Sequence, residues 1–320
     1  MELYQIYESV KEDLSKVEEA INSIRDVDFP WLSQLLDYSL GVGGKRIRPA
    51  LTLLCGKFQD YRFESLSHMA TAIELMHTAT LIHDDAIDES DTRRGRSTIY
   101  KLWGTDVAVL LGDYLFAKAG VAVADTQSIR AIKLFSETLS TISRGELNQG
   151  INSFNINQSR EDYIRRIFGK TASLFCLSTE SGGILSHAQE DVIKSLRNYG
   201  YHLGIAFQIV DDILDFVGSE AELGKPAGSD LSQGTYTLPA MMLNERYPDD
   251  NPVKRLFATR DKTLIKEAIE QVRNSSIVED CYKIAREYCD NACLQIKNLP
   301  DNLYRQNLIE LADFVVTRKK

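Results

Sequence analysis

Apolar residues recur at three- and four-residue spacing through most of the chain, as in Leu66, Met69, Ala70 and Ile73, or Leu110, Leu111, Tyr114 and Leu115. That period gathers side chains on one face of a helix. Pro30 and Pro49 are followed by no proline until Pro226, after which come Pro239, Pro248, Pro252 and Pro300. Proline breaks helix interiors, so the proline-free stretch from 50 to 225 predicts successive helices, punctuated at Gly95, Gly104, Gly182-Gly183 and Gly218. Pro49 suits the first turn of a helix. Val107 to Gly112 is apolar on all sides and predicts a helix buried at the centre of a bundle. Glycine and polar residues from about Gly218 to Gly234 predict a loop, and Asp249-Asp250-Asn251-Pro252 an ordinary turn. No strand-like alternation persists for long. The expectation is an all-α protein forming a single domain over residues 1–320.

Two segments depart from this pattern in the same way. Asp84-Asp85-Ala86-Ile87-Asp88 and Asp211-Asp212-Ile213-Leu214-Asp215 share one spacing, and each ends an apolar run. Residues i and i+4 share a helix face, so Asp84 projects with Asp88 and Asp211 with Asp215. Clustered carboxylates repel one another and are costly in an apolar setting unless paired. A single acidic cluster of this length is an ordinary solvated face. Two copies, each embedded in a hydrophobic segment, predict a cation to neutralise them. Hard oxygen donors suit Mg²⁺, which takes one or two carboxylates together with phosphate oxygens and water.

Composition narrows the function classes. Of 320 residues, 43% are hydrophobic and 26% charged, ordinary for a globular protein, and the length can bury a substantial core. A net charge of −9 argues against a general nucleic-acid binder. No uninterrupted apolar run is long enough to predict a membrane span. Met1-Glu2-Leu3-Tyr4 lacks the basic flank and apolar core of a signal peptide. Cys55, Cys176, Cys281, Cys289 and Cys293 are scattered, and Cys289 and Cys293 have no neighbouring histidine or cysteine to complete a zinc site. Reduced, mostly buried thiols in a cytoplasmic protein are expected.

Cations accompany the carboxylates. Gly43-Gly44-Lys45-Arg46-Ile47-Arg48-Pro49 sets three cations at a glycine-flanked helix start, where backbone can approach an anion and Lys or Arg can bind phosphate. Arg93 and Arg94 follow the first cluster, which makes sense for a diphosphate bridged to it by Mg²⁺. His77, seven residues before Asp84, lies near the same helical face. Lys170, Thr171, Gln208 and Lys225 are further polar residues with no individual role evident from the residues themselves.

Together these segments resemble the trans (E-type) isoprenyl diphosphate synthases. The likeness runs from Gly43–Pro49 through Leu81-Ile82-His83 and the first aspartates, Arg93-Arg94-Gly95, Gly112-Asp113-Tyr114-Leu115, Gly169-Lys170-Thr171-Ala172, and Phe207 to Asp215, to Gly224-Lys225-Pro226. It implies a helical bundle of the isoprenoid synthase type around a deep central cavity, usually a homodimer, with the aspartate clusters facing across its mouth. It also implies that both clusters are catalytic: Asp84, Asp85, Asp88, Asp211, Asp212 and Asp215. Asp84, Asp88, Asp211 and Asp215 would hold Mg²⁺, roughly two or three ions per site. Arg93, Lys170, Thr171, Gln208 and Lys225 would bind the allylic diphosphate, and Lys45, Arg48, His77 and Arg94 the diphosphate of isopentenyl diphosphate. Many members carry a lysine where this chain has Thr235, which puts one allylic-site contact in question.

The resemblance also bears on product length. The growing chain is expected to descend along the helix that precedes Asp84, where each turn rises about 5.4 Å. Members making short products commonly close the cavity with an aromatic four or five residues before the first aspartate. Here Thr80 and Ala79 stand there, with Met76 deeper. An all-E product longer than geranylgeranyl diphosphate is expected, shortened by Ala79→Tyr. The alternatives are a short-chain farnesyl or geranylgeranyl diphosphate synthase, a class I terpene cyclase and a regulatory subunit of a heteromeric synthase. A cyclase needs no isopentenyl site, and a regulatory subunit should have eroded aspartates. Asp84→Ala or Asp211→Ala should largely abolish condensation while leaving the helical circular dichroism intact; near-wild-type turnover in either would remove the metal assignment.

Overall fold

The computed structural model describes residues 3–41, 43–93, 95–218 and 227–318. About 76% of it is helical. The described strands are two residues each, Thr92–Arg93 and Arg96–Ser97, paired antiparallel with Thr92 opposite Ser97. Gly95 in their turn is left-handed at φ 74°, a conformation that suits glycine.

The chain packs into two compact units, neither of them contiguous. The first comprises Met1–Leu139, Leu174–Gly200 and Cys293–Leu311, the second Ser140–Ser173, Tyr201–Ala292 and Ala312–Lys320.

In the first unit the long helix Phe63–Ile87 packs against Thr105–Asp125, Ile47–Gly56 and Lys11–Ser23. Missing side chains allow the closest approaches. A Cβ on Gly112 would lie 2.1 Å from His83 Nε2, and one on Gly182 only 2.6 Å from the Thr52 carbonyl oxygen. The turn into Ile47–Gly56 is held by Arg46, whose backbone is left-handed at φ 49°. Its guanidinium donates to both Glu18 oxygens at 2.7 Å and also to Glu74. Burial disfavours that charge, but the two carboxylates outweigh it and raise the pKa above the ordinary arginine value. Arg46 is therefore spent on structure.

The second unit has an apolar core that includes Ile167, Ile209, Ile213, Phe216, Leu231, Leu256 and Val272. A capping box starts Arg160–Ile167: Ser159 accepts from the Asp162 N–H while Asp162 accepts from the Ser159 N–H. A π-helical turn, Phe168–Ala172, follows directly. Such turns are rare and recur at functional sites. The described part of the predicted loop after Asp215 contains the short helix Ser229–Ser232. The five cysteines are free thiols, four of them buried.

One expectation changes. The all-apolar segment from Val107 to Gly112 is not central. Ala108, Leu111 and Gly112 face inward, but Val109 and Leu110 are 41% and 68% exposed. Because the helix turns every 3.6 residues, Leu110, Ala117 and Val121 form an outer apolar face within this unit. The same 21-residue helix, Thr105–Asp125, is long and apolar enough to cross a membrane by length and composition alone. Asp113 and Lys118 interrupt its apolar run, which is why no span is evident in the sequence. Its inward face packs as a core helix does.

Candidate active site

The first aspartate cluster ends the helix Phe63–Ile87. Asp88 caps it, its N–H donating to the Asp84 carbonyl at 2.8 Å, and Glu89 turns the chain at φ 49°. Asp84 and Asp88 are half-buried, as the shared-face expectation requires, whereas Asp85 is buried. The short hairpin brings Arg93 back so that its Nε donates to Asp85 Oδ1 at 2.7 Å. Burial pushes the Asp85 carboxyl above its ordinary value and Arg93 partly offsets this. Asp85, expected to be catalytic, is thus the partner that anchors Arg93. The Arg93 side chain remains 39% exposed.

His83, next to Asp84, lies over Gly112, with Nε2 3.0 Å from the Val109 carbonyl and its ring edge-on to Phe116. This fixes the last turns of the aspartate helix against Thr105–Asp125. Lys45 is exposed, His77 is half-buried, and Arg48 is half-buried with its guanidinium 4.9 Å from the Phe175 ring centroid, a cation–π contact. Thr80 is half-buried and its Oγ1 donates to the His77 carbonyl at 2.8 Å. Ala79 and Met76 are fully buried. At about 100° per residue, Thr80 lies roughly 40° from Asp84 around the helix and Ala79 roughly 140° away. Of the two positions expected to gate the product, only Thr80 shares the aspartate face.

The second cluster lies in the helix Glu190–Val217. Asp211 is 40% exposed, and Arg318 donates to its Oδ1 at 2.6 Å. Asp212 is buried with both oxygens engaged. Gln208 Nε2 and the Tyr163 hydroxyl each donate to it at 2.8 Å, and Thr171 Oγ1 donates to Gln208 Oε1 at 2.6 Å. Burial, reinforced by the negative charge of Asp230, pushes the Asp212 carboxyl up to about 7 against the pull of Gln208, Arg166 and Tyr163. Asp212, expected to be catalytic, is sealed inside a network that orients Gln208 and Thr171. Asp215 is also buried, its Oδ2 accepting from the Asp230 N–H at 3.2 Å. The i, i+4 spacing predicts that it projects with Asp211, and among the described residues Gly228 also donates its N–H to the Asp215 carbonyl at 2.9 Å.

Lys170 pairs with Glu146 at 2.9 Å. The pair is set where Gly145 meets Gly169, each leaving room for the other's backbone. Arg166, buried beside the Tyr163 ring, donates to the Tyr236 carbonyl at 2.8 Å and so holds the backbone next to Thr235. Arg94 and Lys225 lie outside the described residues. Tyr163, Arg166, Glu146 and Arg318 carry no signal in the sequence, since none belongs to a motif and each reaches its partner from another element.

Among the described residues, no three or more His, Cys, Asp or Glu side chains form a ready metal cage. The half-buried carboxylates of Asp84, Asp88 and Asp211 fit Mg²⁺, which keeps water and phosphate in most of its coordination positions.

The sequence profile of the polyprenyl synthetase family matches residues 29–273. The chain belongs to this family. It is 37% identical to heptaprenyl diphosphate synthase component 2 of Geobacillus stearothermophilus, over 99% of both chains. It is 36% identical to solanesyl diphosphate synthase 1, chloroplastic, of Arabidopsis thaliana, over 99% of this chain and 79% of that one. A polyprenyl synthase of Caulobacter crescentus, solved in complex with calcium and isoprenyl diphosphate, superimposes with a TM-score of 0.95 at 32% identity, covering 100% of this chain and 98% of that one. The protein is a prenyltransferase, all-α as expected.

Burial of Asp212 gives a pH prediction for the metal-free protein. Its unfolded carboxyl ionises near 3.9, whereas the folded one keeps its proton to about 7. Between those values the folded state binds more protons, so its contribution to stability falls as pH rises. Asp212→Asn should flatten that decline in urea unfolding series recorded with a chelator. An unchanged pH slope would contradict the buried, proton-retaining carboxyl.

Proposed function

We propose that this prenyltransferase adds isopentenyl diphosphate head-to-tail to an allylic diphosphate, giving an all-E polyprenyl diphosphate longer than geranylgeranyl. The observation that carries the length is the small Thr80 on the face of Asp84, and the heptaprenyl and solanesyl names of relatives support it. Asp84, Asp88, Asp211 and Asp215 would hold Mg²⁺, Asp215 exchanging the Asp230 N–H for the ion. Bound Mg²⁺ supplies charge stabilisation to the departing diphosphate. Arg93, Lys170, Thr171, Gln208 and Lys225 would bind that diphosphate, Lys170 exchanging Glu146 for phosphate oxygens. Lys45, Arg48, His77 and Arg94 would bind isopentenyl diphosphate, with Phe175 orienting Arg48. The allylic carbon–oxygen bond breaks, the isopentenyl double bond attacks the resulting cation, and the released diphosphate takes the proton whose loss restores the alkene. Apolar walls along the helix before Asp84 would keep water from the cation.

The test is to incubate the purified protein with Mg²⁺, labelled isopentenyl diphosphate and farnesyl diphosphate, and to size the extracted chains. Wild type should build a ladder past geranylgeranyl length, and Thr80→Phe should end it earlier. A wild-type ladder ending at or before geranylgeranyl overturns the length assignment, and no elongation overturns the function.

We further propose a homodimer working in the cytoplasm. The outer apolar face of Leu110, Ala117 and Val121 supports self-association, and the free thiols are in keeping with the location. The name component 2 of one relative supports a second reading, a complex with an unlike chain. Sedimentation should find a wild-type dimer and a Leu110→Glu monomer. A wild-type monomer that elongates only with added partner protein would favour the second reading.

A further inference from the structure

We propose that Arg318 is a built-in counterion for Asp211 which a divalent cation must displace, so that metal occupancy of the second cluster is coupled to the end of the C-terminal helix. The proposal rests on the assignment of Asp211 as a metal ligand. Arg318 directly follows the helix Leu303–Thr317, its N–H donating to the Phe314 carbonyl at 2.9 Å. Its side chain is 3% exposed, far more buried than the carboxylate it holds. The guanidinium donates to Asp211 Oδ1 at 2.6 Å and to the Phe207 carbonyl at 2.9 Å, and lies 4.0 Å from the Phe207 ring centroid.

Those contacts specify arginine. One guanidinium nitrogen bonds the carboxylate and the carbonyl while the planar group stacks on the aromatic face, and a lysine ammonium does not reproduce that stacking. They also bear on metal binding. Asp212 and Asp215 are buried, so Asp211 presents the exposed carboxylate of its cluster. A guanidinium already bonded there opposes a metal ion by like charge and by occupying the oxygen. Metal binding therefore costs one charge-assisted bond, leaves the Arg318 guanidinium its contacts to Phe207, and loosens the last helical turn.

The experiment titrates Mn²⁺ alone into the full chain, read by loss of the free-ion electron paramagnetic resonance signal, with folding checked by circular dichroism. Arg318→Gln should bind Mn²⁺ about ten-fold more tightly, the scale of one charge-assisted hydrogen bond. Arg318→Lys, a milder change if the glutamine variant folds poorly, should fall between. Asp211→Asn should weaken binding and remove the sensitivity to residue 318. In wild type, the amides of Val315 to Arg318 should exchange faster with solvent hydrogen when Mn²⁺ is added. If Asp211→Asn weakens binding while both Arg318 variants bind as wild type or more weakly, the counterion proposal is overturned and the metal assignment stands. If Asp211→Asn binds as wild type, both fall.

Discussion

Carboxylates set at the ends of apolar helices must be given countercharge, and much of the site follows from how this chain meets that demand. Each cluster sorts its aspartates by depth. Asp85 and Asp212 go inside and take fixed partners, Arg93 in one case and Gln208 with Tyr163 in the other. Asp84, Asp88 and Asp211 stay at intermediate depth, where a removable cation can reach them. An inner carboxylate with fixed partners is an anchor, since breaking a buried charged contact leaves an uncompensated group. The anchors in turn orient side chains proposed to meet phosphate: Arg93 on the first cluster, Gln208 and Thr171 on the second.

The same economy governs the basic residues. Arg46 is locked between Glu18 and Glu74, and Arg166 holds the backbone beside Thr235. Lys45 is exposed, and Arg48 lies over the aromatic face of Phe175. Cations in one motif thus divide, Arg46 holding the chain while Lys45 and Arg48 are the ones proposed to meet a ligand.

The helical fold is legible from the sequence because period and proline placement act locally. The aspartate pairs are legible because i, i+4 geometry is also local. What escapes depends on contacts between distant segments. Nothing near Asp211 announces Arg318, 107 residues away. Asp85 and Asp212 stand beside residues of the same type, so their burial is decided by the hairpin and by Tyr163 rather than by composition. The segment from Val107 to Gly112 misleads for a related reason. All-round apolarity marks surface withheld from water, but not whether the chain itself or a partner covers it. Ala79 and Thr80 look equivalent as small residues, yet one step around a helix separates the aspartate face from the packed one.

The central proposal is that Asp84, Asp88, Asp211 and Asp215 carry metal while Asp85 and Asp212 only position. Anomalous diffraction from crystals grown with Mn²⁺ and a non-reactive farnesyl thiodiphosphate tests it directly. The account predicts manganese bonded to Asp84, Asp88, Asp211 and Asp215, with Asp85 still on Arg93 and Asp212 still on Gln208 and Tyr163. Manganese bonded to Asp85 or Asp212, or absent from either cluster, would contradict it.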